Sequence, residues 1–138
     1  MSPLKLIDTN VFIYAVGRPH RYKRACLRVL DALEDGSLDA SIDAEVLQEI
    51  LYVYWSTKRL EQGLALFDRV NQVFPAVIPI AMEDARLARE VLARHPVIAP
   101  RDAIHAAVAV NHGLDAVIST DSGFDSIPGI RRIDPEEF

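Results

Sequence analysis

The stretch Leu4-Lys5-Leu6-Ile7-Asp8-Thr9-Asn10 passes from an apolar run to an acid and then into a new period. Leu4, Leu6 and Ile7 read as a short strand over residues 4–8. Val11, Phe12, Tyr14 and Ala15 follow at once with helical spacing. In an open α/β sheet, ligands bind outside the carboxyl ends of the strands. An acid at the first β-to-α turn therefore faces the functional edge of the sheet. The stretch predicts an α/β fold with Asp8 at the centre of a site.

Outward from that turn, strands and helices keep alternating. A short helix over residues 10–16 stops near Gly17 and Pro19, and a second spans 20–35 and ends at Gly36. Residues 38–42 alternate apolar and polar as a strand, and Asp43 is a good N-cap for a helix that runs to residue 55. A helix over 60–74 forms a hairpin with it. Residues 76–80 read as an edge strand, because Pro79 cannot donate to a ladder. Helices over 83–93 and 100–112 follow, with Pro100 in a first turn. Strands over 116–119 and 130–133 close the chain, with a polar turn after the first. This order predicts a three-layer α/β/α arrangement around a mainly parallel sheet of about five strands. No repeat or linker interrupts it, so residues 1–138 read as one domain.

Composition narrows the class. With 138 residues and 50% hydrophobic content, the chain suits one core. Its net charge of −5 gives no strongly basic field, so any nucleic-acid binding must use local patches. The one cysteine, Cys26, sits among apolar helical positions and reads as core. It allows no intrachain disulfide and no cysteine zinc site. The start MSPLKLID lacks a charged segment followed by an apolar one, and no run approaches the ~18 apolar residues of a membrane span. A soluble cytoplasmic protein with no membrane partner is the expectation.

Four acids take comparable places relative to the sheet. Asp8 ends strand one, Glu49 lies two turns into the helix after strand two, Asp102 is in a helix's first turn, and Asp121 follows strand 116–119. Taken singly, Asp102 is a favourable helix-start acid, Asp121 a turn residue and Glu49 a solvated helix position. Together they read as a carboxylate cluster, whose members raise one another's pKa unless a cation intervenes. Mg²⁺ and Mn²⁺ accept oxygen ligands of this kind and serve phosphodiester hydrolysis.

The blocks L-I-D-T-N at residues 6–10, A-E-V-L-Q-E-I-L at 44–51, R-D-A-I-H-A-A-V-A at 101–109 and V-I-S-T-D-S-G-F-D at 117–125 stand in one order across the chain. In these blocks the chain resembles the PIN-domain ribonucleases, and especially the VapC toxins of type II toxin–antitoxin pairs. The resemblance implies that Asp8, Glu49, Asp102 and Asp121 are the catalytic acids and bind one or two Mg²⁺ or Mn²⁺ ions. Asn10 and Thr120 would support the site through hydrogen bonds, with Asp125 as an extra or substitute acid. It implies in-line attack of water on an RNA phosphodiester, leaving 5′-phosphate and 3′-hydroxyl ends. It also implies a homodimer and a small VapB-like antitoxin whose C-terminal segment covers a hydrophobic groove near the helical hairpin. The chain departs from many relatives in two places. Gly123 stands where they carry an acid that a second metal position would use, and Asp43 stands where they carry Ser or Thr.

His105 shares a helix face with Asp102, three residues on. Its apolar surroundings favour a packed, hydrogen-bonded histidine over a catalytic base. Positive charge concentrates over residues 11–30, where Arg18, Arg21, Lys23, Arg24 and Arg28 meet no acid. Arg18, Arg21, Lys23, Arg24 and Arg101 are the candidates for RNA phosphates, with Lys58 and Arg59 secondary. Tyr52, Tyr54 and Trp55 end their helix as core or as a partner surface. Two rivals to a toxin nuclease remain within the fold: an RNA-processing PIN nuclease without an antitoxin, and a non-catalytic PIN-like interaction module. A haloacid-dehalogenase phosphatase would need a second acid where Asn10 stands, and Asn cannot transfer a proton.

Overall fold

Strand β1 (Lys5–Ile7) lies inside a parallel sheet, with Lys5 paired to Ala40 of β2 (Ala40–Ser41) and to Ala116 of β3 (Ala116–Ile118). β4 (Arg132–Ile133) extends the far side, giving the order β2-β1-β3-β4. The structure is a computed structural model and describes residues 4–138. Residues 1–3, at the head of the stretch read for a signal segment, lie outside the described residues.

Because strand side chains alternate between faces, the short strands feed two separate cores. Ile7, Ala116, Ile118 and Ile133 join one core beneath α1 (Thr9–Val16), α2 (Lys23–Glu34), α3 (Ala44–Ser56) and α4 (Leu60–Val73). Leu6 and Val117 join the other, under α5 (Met82–Arg94) and α6 (Pro100–Asn111). The result is the three-layer arrangement expected from the alternation of strands and helices. Strands covered on both faces read as nearly continuous apolar runs, and Ala116, Val117 and Ile118 are all buried.

The sheet has four strands where about five were expected. The segment over 76–80 contributes one parallel bridge, Ile78 to Asp43. The Ile78 N–H donates to the Ile42 carbonyl and the Ala44 N–H to the Ile78 carbonyl, both at 2.9 Å. The next donor on that side would be Ile80, but its acceptor residue, Ala44, already begins α3, so the ladder stops.

α3 and α4 form the predicted hairpin. Lys58 turns it in the left-handed region, at φ 59°. Gly63 lets the helices approach closely, since a Cβ there would stand 2.5 Å from the Tyr54 Cβ. Of the three aromatics ending α3, Tyr54 is core, while Tyr52 and Trp55 are exposed. Among the described residues no helix is long and apolar enough to cross a membrane.

Candidate active site

The carboxyl ends of β1, β2 and β3 each lead into a buried polar residue: Asp8, Asp43 and Ser119. Asp8 caps α1, its Oδ1 accepting from the Thr9 N–H at 2.8 Å. Its Oδ2 accepts from the Ser119 hydroxyl at 2.7 Å and from the Asn10 amide at 3.2 Å. Ser119 in turn accepts from the Asp121 N–H at 2.9 Å. Asn10 reaches across as well, its Oδ1 accepting from the Thr120 N–H at 3.4 Å. The two strand ends are thus stitched together through side chains, which fixes the Asp8 carboxylate.

His105 of α6 occupies the space between the acids and is fully buried. Its Nε2 lies 2.7 Å from Glu49 Oε1 and 3.4 Å from Asp8 Oδ1. Its Nδ1 lies 2.7 Å from Asp43 Oδ2. Asp43 is held in turn by capping α3, its Oδ1 accepting from the Val46 N–H at 3.2 Å. With a carboxylate at each ring nitrogen, the imidazole is arranged to donate twice. Burial opposes its charge, but the hydrogen bonds to Asp43 and Glu49 outweigh burial and hold its pKa well above the usual 6.5. The second oxygen of Glu49 faces the exposed Arg101 guanidinium, with Nε at 3.4 Å.

Burial pushes the Asp8 carboxyl above its ordinary range, and the charge of Glu49 adds to this against the pull of His105 and Ser119. Asp102 is pushed up to about 8, by burial first, then by the charge of Asp8 and a hydrogen bond with Asp121. Glu45, one turn before Glu49, is also raised, by burial and then by Glu49. The exposed Asp121 caps the next turn, accepting from the Gly123 N–H at 2.8 Å. A Cβ at Gly123 would stand 3.1 Å from the Asp121 Oδ1.

The predicted acids Asp8, Glu49, Asp102 and Asp121 therefore meet at one edge. Asp125 does not join them: both its oxygens accept from Arg132, at 2.9 and 3.2 Å, which ties it to β4. The support expected of Thr120 comes from its backbone N–H, and the hydroxyl at the site is that of Ser119. Among the basic candidates, Arg101 reaches the acids. Arg21 pairs with Glu136 at the surface, and the Lys23 ammonium caps the Gly17 carbonyl. Arg18 and Arg24 are exposed, with Arg18 lining a groove beside Arg59 and Arg69. The places of Asp43 and Ser119 in the site, and the bridging role of His105, escaped the sequence reading. The signal for Asp43 was present: S-I-D-A-E-V at residues 41–46 repeats the strand-end acid of L-I-D-T-N-V at 6–11.

The donor set tests well against a divalent cation. One atom each from Asp8, Glu49 and His105 lie within 4.8 Å of one another, all three residues being buried. The Asp8 and Asp102 carboxyls, raised by burial and by neighbouring acids, would gain from the further positive charge of an ion.

These shifts set a pH dependence. Asp8 and Asp102 hold protons in the fold above the unfolded value of 3.8, Asp102 up to about 8, and His105 holds one above 6.5. Over that window the folded chain binds more protons than the unfolded one, so stability falls as pH rises. In EDTA the chain is expected to melt at a higher temperature at pH 5.5 than at pH 8, with the gap narrowed by a divalent ion. A melting temperature that rises from pH 5.5 to pH 8 in EDTA would contradict this electrostatic picture.

Comparisons with known proteins give the family. The PIN domain family matches residues 5–130. The chain is 40% identical over 128 residues to ribonuclease VapC13 of Mycobacterium tuberculosis, covering 93% of this chain and 98% of that one. It is 30% identical over 118 residues to ribonuclease VapC23 of the same species, covering 83% and 90%. Among solved structures, VapBC2 of Rickettsia felis bound to a promoter DNA fragment superposes with a TM-score of 0.74 at 18% identity, over 95% and 98% of the chains. DNA-bound VapBC of Salmonella typhimurium gives 0.73 at 23% identity, over 97% and 99%. The chain belongs to the PIN-domain family and, within it, to the VapC proteins.

Proposed function

We propose that the chain is an endoribonuclease of VapC type, the toxin of a toxin–antitoxin pair, working with Mg²⁺ or Mn²⁺. The observation that carries this reading is the buried group of Asp8, Glu49 and His105, with Asp102 and Asp121 beside it, at the carboxyl edge of the sheet. Asp8, Glu49, Asp102 and Asp121 would hold the ion. When bound, the ion would supply Lewis acidity toward water and neutralise charge on the phosphate.

The remaining work falls to the chain. Ser119 and Asn10 orient the Asp8 carboxylate, and Asp43 orients the His105 ring beside Glu49. Arg101, exposed beside Glu49, is placed to bind a phosphate of the RNA strand. Phosphate contacts made by arginine position the strand and give binding a salt dependence. Arg101→Ala, in a chain that binds but does not cut, is expected to weaken RNA binding and lower the slope of log K against log salt by about one. An unchanged slope, measured by titration across salt concentrations, would remove Arg101 from the interface.

An antitoxin has a ready seat. Phe12, Val16, Leu30, Leu33, Leu66 and Val73 line an apolar cleft between α1, α2 and α4. An amphipathic segment laying its apolar face there would match a known mode of peptide recognition. Two of the similar structures are VapBC assemblies, and homodimerisation belongs to the same reading. The reading is tested in cells. Expression should arrest growth, with new 5′-phosphate RNA ends, and coexpression of a cognate VapB-like antitoxin should relieve the arrest. Equal arrest by the wild type and by Asp8→Asn would contradict it.

A further inference from the structure

His105 is the histidine set among the acids, with one ring nitrogen within reach of both Glu49 and Asp8. Its Nε2 stands 2.7 Å from Glu49 Oε1 and 3.4 Å from Asp8 Oδ1. Ligand atoms about 2.1 Å from a six-coordinate ion, at right angles to one another, stand roughly 3 Å apart. The two distances bracket that separation, so Nε2 stands to each oxygen as one ligand atom stands to its neighbour, and all three atoms lie within 4.8 Å of one another.

The far side of the ring fits the same role. A histidine that binds a metal through one nitrogen almost always gives its other N–H to a carboxylate, carbonyl or water, which fixes the ring and raises its basicity. Here Nδ1 meets Asp43 Oδ2 at 2.7 Å, and Asp43 is itself fixed by capping α3 and is fully buried.

We propose that His105 is a nitrogen ligand of the bound ion, aimed by Asp43, and that the site therefore prefers Mn²⁺ to Mg²⁺. The inference rests on the reading of Asp8 and Glu49 as metal ligands. Mg²⁺ is held through carboxylates, phosphates and water, whereas imidazole nitrogen suits transition metals, of which Mn²⁺ is one. The ion would take the place of the hydrogen that Nε2 directs at Glu49. Asp43 is a positioning residue and does not touch the metal.

The test is a spectrum, not an activity. Mn²⁺ is added to the full chain, grown with ¹⁴N- or ¹⁵N-histidine, and read by pulsed electron paramagnetic resonance. The expected result is a directly ligated nitrogen whose coupling changes with the isotope and vanishes in His105→Gln. Titration calorimetry should show Mn²⁺ binding more tightly than Mg²⁺ in the wild type, with the two affinities drawn together in His105→Gln. Asp43→Asn should weaken Mn²⁺ by roughly 10–100-fold. If His105→Gln does not fold, the isotope-sensitive coupling in the wild type and its loss in Asp8→Asn assign the nitrogen to this site, where His105 is the histidine present. Mn²⁺ bound without nitrogen coupling, but lost in Asp8→Asn, would overturn the histidine ligand and leave the metal site standing. Mn²⁺ that does not bind, or binds equally in Asp8→Asn, would overturn both.

Discussion

An Asp8→Asn chain is expected to fold and to lose RNA cleavage by roughly 10²–10³-fold or more, the scale for removing one fixed charge-stabilising group. The hydrogen bonds around the position explain why the fold survives. The introduced asparagine keeps an Oδ1 to accept the Thr9 N–H, and its amide can donate to the Ser119 oxygen in place of the bond now running the other way, while the Asn10 amide loses one of its two acceptors. Burial already pushes the Asp8 carboxyl up, so its charge is a burden on the metal-free fold. The variant should therefore melt at or above the wild-type temperature in EDTA. What it loses is a negative oxygen at the centre of the cluster, and a neutral amide is a poor substitute toward a divalent ion. Cleavage rate and melting temperature, measured on the same preparations, separate the two effects. A variant that cuts at the wild-type rate, beside a wild type that depends on the same metal, would remove Asp8 from catalysis.

Replacing His105 has the opposite balance, with its largest cost in stability. His105→Ala takes the shared donor from Asp43 and Glu49 and leaves buried acids facing a cavity. Removing one partner of a buried ion pair costs about 3–5 kcal/mol. Against a total stability of roughly 5–15 kcal/mol, that is a large share. The loss should shrink toward pH 5, where the orphaned carboxylates take up protons. Urea denaturation of the metal-free variant at pH 7.5 and pH 5 measures both. A loss under ~1 kcal/mol at pH 7.5 would mean the imidazole is not the cluster's internal cation.

Much of this was legible before the fold was seen, and the remainder was hidden for physical reasons. The acid after Ile7 stood out because an apolar run that ends on a charge needs a polar partner there, whereas Asp121, singly a turn residue, gained its place from the other acids and the four blocks. The layers followed from the alternation of strand and helix patterns. The fifth strand failed because one-dimensional spacing cannot show how far a ladder runs before α3 begins. Asp125 looked like a ligand from its place in the last block, yet Arg132, seven residues on, takes both its oxygens. Arg21 belonged to a basic run in sequence, but an acid from the C-terminal turn, Glu136, faces it in space. Asp43 was read for the oxygen that caps α3, and nothing local could reveal that its other oxygen meets a ring 62 residues away.

The most direct measurement is the cleavage of a structured RNA by the purified wild-type chain before and after its metal is removed. Activity should vanish in EDTA, return when Mn²⁺ or Mg²⁺ is added in excess, and leave 5′-phosphate ends. Cleavage that continues unchanged in EDTA, or that leaves 2′,3′-cyclic phosphates, would contradict a metal-centred nuclease built on Asp8.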